Sequence, residues 1–243
     1  MTTWVSVPAK PGPLDIDLSK TAVLVIDMQN DFGATGGMFD RAGVDIRLIQ
    51  RVIEPIARVL RAARAAGVPV VYIKMEHQPD LSDTGPIDGA YWLKNRFFSI
   101  GTAVLAPDGN PSRILIKDTW NTEILEALAP EPDDIVISKH RYSGFYQTEL
   151  DDTLKARGIK HLIVTGCTTS VCVESTVRDA AFRDYSCIVL GDCTAEPLGH
   201  HDSSLMLIEK LFGWVSTSQQ VIDAVGGSRS QALTTEGSVP EAG

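Results

Sequence analysis

The chain has 243 residues, of which 44% are hydrophobic and 22% are charged, and its formal net charge at pH 7 is −9. This is enough apolar material for one globular domain with a sizeable core, and the acidic balance argues against a nucleic-acid or anionic membrane partner. No apolar run approaches the roughly 20 residues that cross a bilayer, and the N-terminus lacks the basic and apolar regions of a signal peptide.

The first predicted strand ends in a carboxylate. Residues 1–20 contain several prolines and no regular apolar pattern, so we predict an irregular N-terminal surface segment. The near-continuous apolar run 21–26 then stops at Asp27. Such a run predicts a buried parallel strand, which would deliver an acid to the edge of a sheet. A turn or helix-capping role is the alternative for Asp27.

A helix and a second strand follow. Apolar residues between Ile49 and Ala63 recur at helical spacing, and Pro55 inside that pattern predicts a kink or a restart. Gly67 ends the helix, and residues 68–73 form the second predicted strand. The next segment, 76–112, is long, polar and rich in proline. A segment of this length in a compact domain is usually functional or partly helical.

Two further strand ends carry a lysine and a cysteine. The apolar run 134–138 ends at Lys139, and the run 162–164 leads to Cys172 at the start of a helical pattern. Because parallel strands end on one side of a sheet, we expect Asp27, Lys139 and Cys172 to lie close together. A thiol beside a lysine and a helix N-terminus has a lowered pKa. The alternatives are an inert buried cysteine and a solvated lysine.

Strands and helices continue to alternate toward the C-terminus. Helices are predicted at 146–157, 170–184, 202–212 and 217–225, and strands at 160–165, 186–191 and 214–216. The pattern predicts a Rossmann-like, three-layer α/β/α domain at 21–225, with a mostly parallel sheet of about six strands. Residues 226–243 are small and polar and predict a disordered tail. The cysteines lack metal-ligand spacing, which favours a reduced, cytoplasmic environment; they are Cys167, Cys172, Cys187 and Cys193.

Three motifs resemble those of the isochorismatase-like cysteine hydrolases. In chain order they read DMQNDF at 27–32, KHRYSGF at 139–145 and GCTTSVCVEST at 166–176. The resemblance extends from about residue 21 to residue 225, which identifies this part as an isochorismatase-like hydrolase domain. Within that superfamily, 139–179 looks most like the ureidoacrylate amidohydrolases, whereas 75–83 looks more like the biuret hydrolases.

The resemblance implies an amidohydrolase that cleaves a carbamoyl or amide C–N bond of a small ureido compound through a thioacyl-enzyme. It implies that Cys172 is the nucleophile, Asp27 the general base and Lys139 their electrostatic partner. It further implies a cis peptide bond between Cys167 and Thr168, and an oxyanion hole formed by the amides of Thr168 and Cys172. A homodimer or homotetramer without a cofactor is also implied.

Metal binding and substrate contacts can be assessed by the same comparison. Nicotinamidases of this superfamily bind a metal through an Asp-x-His pair and a further histidine, whereas the corresponding stretch here offers Glu76 and His77. Two such groups rarely make a site, so we predict no metal. Loops at the strand ends should line the pocket, although packing or surface roles are the alternatives. The candidate substrate contacts are Asn30, Phe32, His77, Trp92, Arg96, Trp120 and Tyr142.

Two other functional classes are consistent with the fold. A vinyl-ether hydrolase of the isochorismatase type works without the cysteine, so the presence of Cys172 argues against it. A non-catalytic binding protein is the other class, and the complete set of Asp27, Lys139 and Cys172 argues against that. The apolar residues of 76–112 would form an exposed patch unless the core, a substrate or a second subunit covers them; they are Tyr91, Trp92, Leu93, Phe97, Phe98 and Ile100.

Overall fold

The computed structural model describes residues 4–236, in which strands and helices alternate. The strands of this part of the chain are β1 (Trp4–Val7), β2 (Leu14–Asp17), β3 (Thr21–Ile26), β4 (Val70–Met75), β5 (Ala103–Leu105), β6 (Pro111–Arg113), β7 (Ile135–Lys139), β8 (His161–Cys167), β9 (Ser186–Ala195) and β10 (Trp214–Ser216). Its α-helices are α1 (Asn30–Gly33), α2 (Met38–Arg41), α3 (Arg47–Gln50), α4 (Ile53–Ala65), α5 (Ala90–Asn95), α6 (Leu150–Ala156), α7 (Glu174–Ala181), α8 (His201–Leu207) and α9 (Ser218–Glu236).

Six of the strands form one parallel sheet in the order β10-β9-β8-β3-β4-β7. The chain runs outward from β3 through β4 to β7, and then returns to the other side of β3 and runs through β8 and β9 to β10. The direction of strand order therefore reverses between β3 and β8. In open α/β sheets, ligands bind outside the carboxyl ends of the strands at such a reversal. The predicted parallel sheet of about six strands is confirmed.

Helices cover both faces of the sheet, as the three-layer prediction requires. Successive side chains of a strand point to opposite faces. Accordingly, Val23 and Val25 of β3 join a core with Leu60 of α4, whereas Leu24 joins a second core with Leu154 of α6. Every residue of β3 is buried. Burial on both faces explains why this strand reads as a continuous apolar run and not as an alternating one.

The N-terminal segment is regular, where the sequence predicted an irregular one. β1 and β2 pair as an antiparallel hairpin, and Val7 and Ile16 are fully buried. Between these strands, the Lys10 N–H donates to the Val215 carbonyl at 2.8 Å, and the Val215 N–H donates to the Lys10 carbonyl at 3.0 Å. The prolines that suggested irregularity lie in this connection. The segment therefore covers the outer edge of β10, which would otherwise expose unpaired backbone groups.

The last helix is longer than the sequence predicted. α9 continues from Ser218 through Gly226 and Gly227 to Glu236, whereas the prediction was a helix that ends at Val225 and a disordered tail from 226. A glycine inside a helix costs about 1 kcal/mol relative to alanine, which is why the pair looked like a stop. Val221 and Val225 pack into the core and anchor the helix just before the two glycines. The rest of the predicted tail, 237–243, lies outside the described residues.

The segment 76–112 folds mostly onto its own domain. It contains α5, one 3₁₀ turn at Arg96–Phe98 and the β5-β6 hairpin. Ile100 is buried, whereas Leu93 and Phe97 leave 45% and 70% of their surface exposed. These exposed side chains are available for a subunit contact, and the dimer or tetramer stays a prediction. Between residues 4 and 236, no helix has both the length and the hydrophobicity needed to cross a membrane.

Candidate active site

Three side chains meet at the carboxyl edge of the sheet, beside the reversal in strand order. Asp27 follows β3, Lys139 is the last residue of β7, and Cys172 lies in the turn that follows β8. β4 separates β7 from β3, so Lys139 starts two strand spacings, about 10 Å, from the strand that carries Asp27. Only a long side chain can cover that distance, which gives a physical reason for a lysine at this strand end.

The Lys139 ammonium is the centre of the cluster. Its Nζ lies 2.8 Å from Asp27 Oδ2 and 3.5 Å from Cys172 Sγ. It also donates to the Arg141 carbonyl at 3.1 Å and contacts Met75 Sδ at 3.4 Å. Lys139 and Asp27 are each 1% exposed, and Cys172 is 7% exposed. The ammonium thus bridges a carboxylate and a thiol in a site that is almost free of solvent.

Burial dominates the proton affinities of this cluster. It raises the pKa of the Asp27 carboxyl, and the charge of Lys139 offsets only part of that effect. Burial alone would lower the pKa of Lys139, but the charges of Asp27 and Cys172 outweigh it, so the lysine stays a cation. Burial and then the charge of Asp27 raise the pKa of the Cys172 thiol against the effect of Lys139. The lowered thiol pKa predicted from sequence is therefore wrong for the resting site.

The backbone around Asp27 holds its carboxylate in place. Asp27 has a φ of 52°, in the left-handed region that costs a non-glycine residue about 1 kcal/mol or more. Its N–H donates to the Ile73 carbonyl at 2.9 Å. Two residues further along the chain, the Gln29 side chain contacts the backbone of Met75. Its Nε2 donates to the Met75 carbonyl at 3.0 Å, and its Oε1 accepts from the Met75 N–H at 2.7 Å. Gln29 therefore joins the ends of β3 and β4.

The turn that carries Cys172 also has a well-defined geometry. A cis peptide bond joins Cys167 to Thr168, as the resemblance implied, and one π-helical turn at Thr169–Val173 precedes α7. The Thr176 hydroxyl donates to the Cys172 carbonyl at 2.7 Å. Gly166 is required just before this turn, because a Cβ there would lie 2.0 Å from the Ile26 carbonyl oxygen. The close approach of β8 to β3 keeps Cys172 near Asp27.

A cavity of about 160 Å³ lies over Cys172. Two of the predicted substrate contacts, Phe32 and Tyr142, line it, and so do both residues of the predicted oxyanion hole, Thr168 and Cys172. The assignment of their amides as oxyanion donors stays a prediction. The other lining residues are Met38, Phe39, Met75, Tyr91, Lys94, Asn95, Phe98, Leu115, Val171 and Leu198.

The remaining predicted contacts do not line this cavity. The Asn30 side-chain amide donates to the Trp120 carbonyl at 2.8 Å, so these two residues bind one another. His77 is fully buried between Asp83 and Tyr91. Trp92 is half-buried and Arg96 is exposed. Trp92 of α5 and Arg96, which directly follows it, do not lie on the face of this helix that is turned toward the cavity.

The residues that sequence reasoning missed lie on that face. Tyr91, Lys94 and Asn95 of α5 and Phe98 of the 3₁₀ turn that follows it line the cavity at a spacing of i, i+3, i+4 and i+7. This is the spacing of one helical face. The signal was therefore present in the sequence, but it lay inside a segment read as a loop, where no direction toward the core could be assigned.

Glu76 and His77, the two candidate metal ligands, are both engaged by protein groups. Glu76 accepts a hydrogen bond from the Ser138 hydroxyl and lies 3.1 Å from Lys74 Nζ. His77 Nδ1 lies 3.0 Å from Asp83 Oδ1, and its Nε2 lies 2.9 Å from the Tyr91 hydroxyl. In the described part of the chain, no group of three or more His, Cys, Asp or Glu side chains has the arrangement of a metal site.

We therefore expect any hydrolytic activity to be independent of metal. Dialysis against a strong chelator should leave the rate unchanged, because both ring nitrogens of His77 are already paired. The measurement is the steady-state rate before and after dialysis, with a zinc amidase as the positive control for chelation. A loss of rate that zinc or manganese restores would make His77 a ligand and contradict this prediction.

Comparison with known proteins supports the resemblance over most of the chain. The isochorismatase domain matches residues 21–220. Ureidoacrylate amidohydrolase RutB from Methylorubrum extorquens is 46% identical over 214 residues, which are 87% of this chain and 85% of the relative. A cysteine hydrolase from Pseudomonas syringae is similar in structure, with a TM-score of 0.74 and 33% identity over 88% of this chain and 95% of that one. N-carbamoylsarcosine amidase from Thermoplasma acidophilum has a TM-score of 0.61 and 26% identity, covering 82% and 96% of the two chains.

Proposed function

This chain belongs to the isochorismatase domain family, and from that premise we propose that it is a cysteine-dependent amidohydrolase acting on ureidoacrylate or a closely similar ureido compound. The observation that carries the proposal is the contact of Lys139 Nζ with both Asp27 and Cys172 beside a cavity. The name of the relative from Methylorubrum extorquens and that of the carbamoyl amidase support this substrate class.

The geometry supports a covalent route with proton transfer through Asp27. The resting thiol is neutral, so Asp27 takes its proton as the sulfur adds to the substrate carbonyl. Lys139 stabilises whichever of the two groups carries the negative charge. The C–N bond then breaks, the departing nitrogen takes the proton from Asp27, and an acyl group remains on Cys172. Water then gives a proton to Asp27 as it attacks this acyl group. The C–S bond breaks, Asp27 returns the proton to the departing sulfur, and the carbamic acid that is released ionises to carbamate in solvent.

The walls of the cavity favour a small, planar and partly apolar substrate. Phe32, Met38, Phe39 and Phe98 form an apolar surface from which a bound substrate would displace water. Exclusion of water strengthens the charge interactions around Cys172. Among the cavity-lining residues in the described part of the chain, Lys94 is the one cation, and its side chain is exposed. We propose that Lys94 binds the carboxylate of the substrate where the cavity opens to solvent.

Lys94→Met is therefore expected to raise KM for ureidoacrylate about tenfold, with little change in kcat. One charge-assisted hydrogen bond contributes about 1.5 kcal/mol, which corresponds to about that factor. KM for biuret, which has no carboxylate, should not change. Lys210→Met is the matched control, because Lys210 is exposed and does not line the cavity. Equal effects of Lys94→Met on both substrates would contradict this role.

The proposed function is tested by measuring C–N bond hydrolysis over a panel of small amides. Suitable compounds are ureidoacrylate, biuret, carbamoyl amino acids, maleamate and nicotinamide. We expect the highest kcat/KM for a ureido compound with a carboxylate. A preference for biuret would favour the alternative indicated by residues 75–83. No turnover of any of these amides would overturn the proposal.

A further inference from the structure

Two tyrosines form a polar wall in an otherwise largely apolar cavity. Tyr91 and Tyr142 both line it, and their ring centroids lie 5.7 Å apart. Burial raises the pKa of the Tyr91 phenol, so its hydroxyl keeps its proton near the nucleophile. Each hydroxyl has one hydrogen to donate, and the direction of that hydrogen decides what the wall can recognise.

The neighbours of Tyr91 determine where its hydrogen points. Asp83 accepts a hydrogen bond from the Gln78 N–H at 3.1 Å, and its other oxygen lies 3.0 Å from His77 Nδ1. A carboxylate oxygen accepts hydrogen bonds, so Nδ1 carries the hydrogen of His77. Burial lowers the pKa of His77, although Asp83 opposes this, and the ring is neutral. Nε2 is then an acceptor, and the Tyr91 hydroxyl donates to it at 2.9 Å.

The neighbours of Tyr142 leave its hydroxyl hydrogen available to the cavity, unlike that of Tyr91. The Asn95 side-chain amide donates to the Tyr91 carbonyl at 2.8 Å and to the Tyr142 hydroxyl at 2.9 Å. The Tyr142 oxygen thus accepts from the helix, and its own hydrogen is available for donation. Arg141 stabilises the arrangement, because its guanidinium lies 4.5 Å from the Tyr91 ring centroid and donates to the Asp83 carbonyl at 2.8 Å.

We infer that Asp83 and His77 hold the Tyr91 hydroxyl as a hydrogen-bond acceptor for the bridging N–H of a ureido substrate. The inference rests on the proposed function for the orientation of that substrate. Lys94 lies one turn along α5 from Tyr91, on the same face. A substrate with its carbonyl at Cys172 and its carboxylate at Lys94 places the intervening N–H along Tyr91. Tyr91 is then a specificity-determining residue, and His77 and Asp83 are positioning residues.

The test compares two ligands that differ only at this N–H. 3-Ureidopropionate carries the bridging N–H, and 3-(carbamoyloxy)propionate has an oxygen there, which would face the lone pairs of Tyr91. Their dissociation constants are measured by calorimetry in the Cys172→Ala background, so the comparison does not depend on turnover. The ureido compound should bind at least ~10-fold more tightly, since an unmatched buried polar group is costly.

Substitutions then assign the preference to Tyr91. Tyr91→Phe should reduce the ratio of the dissociation constant of 3-(carbamoyloxy)propionate to that of 3-ureidopropionate at least ~10-fold. His77→Phe should reduce this ratio as well, because the freed Tyr91 hydroxyl can turn its hydrogen into the cavity. Phe98→Leu, on the same face, should change both affinities equally. If Tyr91→Phe, like Phe98→Leu, changes the affinity for both ligands by the same factor, Tyr91 is only structural and the inference is wrong. If the wild-type protein hydrolyses no amide but the ureido compound still binds more tightly, the proposed function is wrong, whereas the assignment of the Tyr91 hydroxyl as a hydrogen-bond acceptor is retained.

Discussion

Replacement of Cys172 by alanine or serine is expected to reduce kcat by at least ~10³ while the fold stays intact. The thiol lies 3.5 Å from the ammonium of Lys139 and lines the cavity, and a thiolate can form a covalent bond with a carbonyl carbon. Serine preserves the size of the side chain but has a far less nucleophilic oxygen. The measurements are steady-state turnover and thermal unfolding of each variant beside wild type.

Mass spectrometry during turnover of a slow substrate should detect an acyl adduct on Cys172. Cys187→Ala is the matched control, because Cys187 is also buried and free but lies in the core, away from the cavity. It should retain activity and form the same adduct. An alanine variant at 172 that keeps more than a few per cent of the wild-type rate, or an adduct on Cys167, would rule out the proposed nucleophile.

Asp27→Asn and Lys139→Met should each lower kcat by at least ~10², but they should change the reactivity of Cys172 in opposite directions. The charge of Asp27 helps to raise the pKa of the thiol, and Lys139 lowers it. Asparagine at 27 leaves the ammonium beside the sulfur, so the thiolate forms more readily. Methionine at 139 removes the cation, so the thiol pKa rises further. Turnover falls in both because proton transfer or charge stabilisation is lost.

Iodoacetamide alkylation at neutral pH separates these effects. The rate constant for modification of Cys172 should increase in Asp27→Asn and decrease in Lys139→Met. Slower alkylation in Asp27→Asn would show that Asp27 already removes the thiol proton in the resting enzyme. Thermal unfolding is a necessary control, since breaking a buried ion pair costs about 3–5 kcal/mol. The Asp27→Asn, Lys139→Met double variant removes both charges and tests whether lost stability explains the lost rate.

The position of the candidate active site was predictable because it depends on strand ends. An apolar run that stops at Asp27, Lys139 or the turn before Cys172 is visible in the sequence. Parallel strands end at the same edge of a sheet, so such residues meet even though they are far apart along the chain. The contacts of 2.8 Å and 3.5 Å around Lys139 Nζ have the arrangement that this reasoning anticipated.

The walls of the cavity could not be predicted in the same way. Tyr91, Lys94 and Asn95 line the cavity, whereas Trp92 and Arg96 do not, and that difference depends on how α5 is rotated against the sheet. The regular structure of the N-terminal segment likewise depends on a distant partner, since the backbone of Lys10 pairs with that of Val215. The sequence contains the helical spacing of these cavity residues but not the direction in which that face points, and it has no local signal for the pairing of Lys10. Both are set by packing between segments that are remote along the chain.

The parallel α/β architecture and the meeting of a carboxylate, an ammonium and a thiol could be predicted from the chain before it is folded. Both follow from periodicity and strand direction, which are local properties of the chain. The proton state of Cys172, the path of the N-terminal hairpin and the polarity of the tyrosine wall could be assigned only in the folded chain. These depend on burial and on partners brought together from remote segments. Burial reversed the expected shift in the thiol pKa, because removing water penalises a thiolate more than one nearby lysine stabilises it.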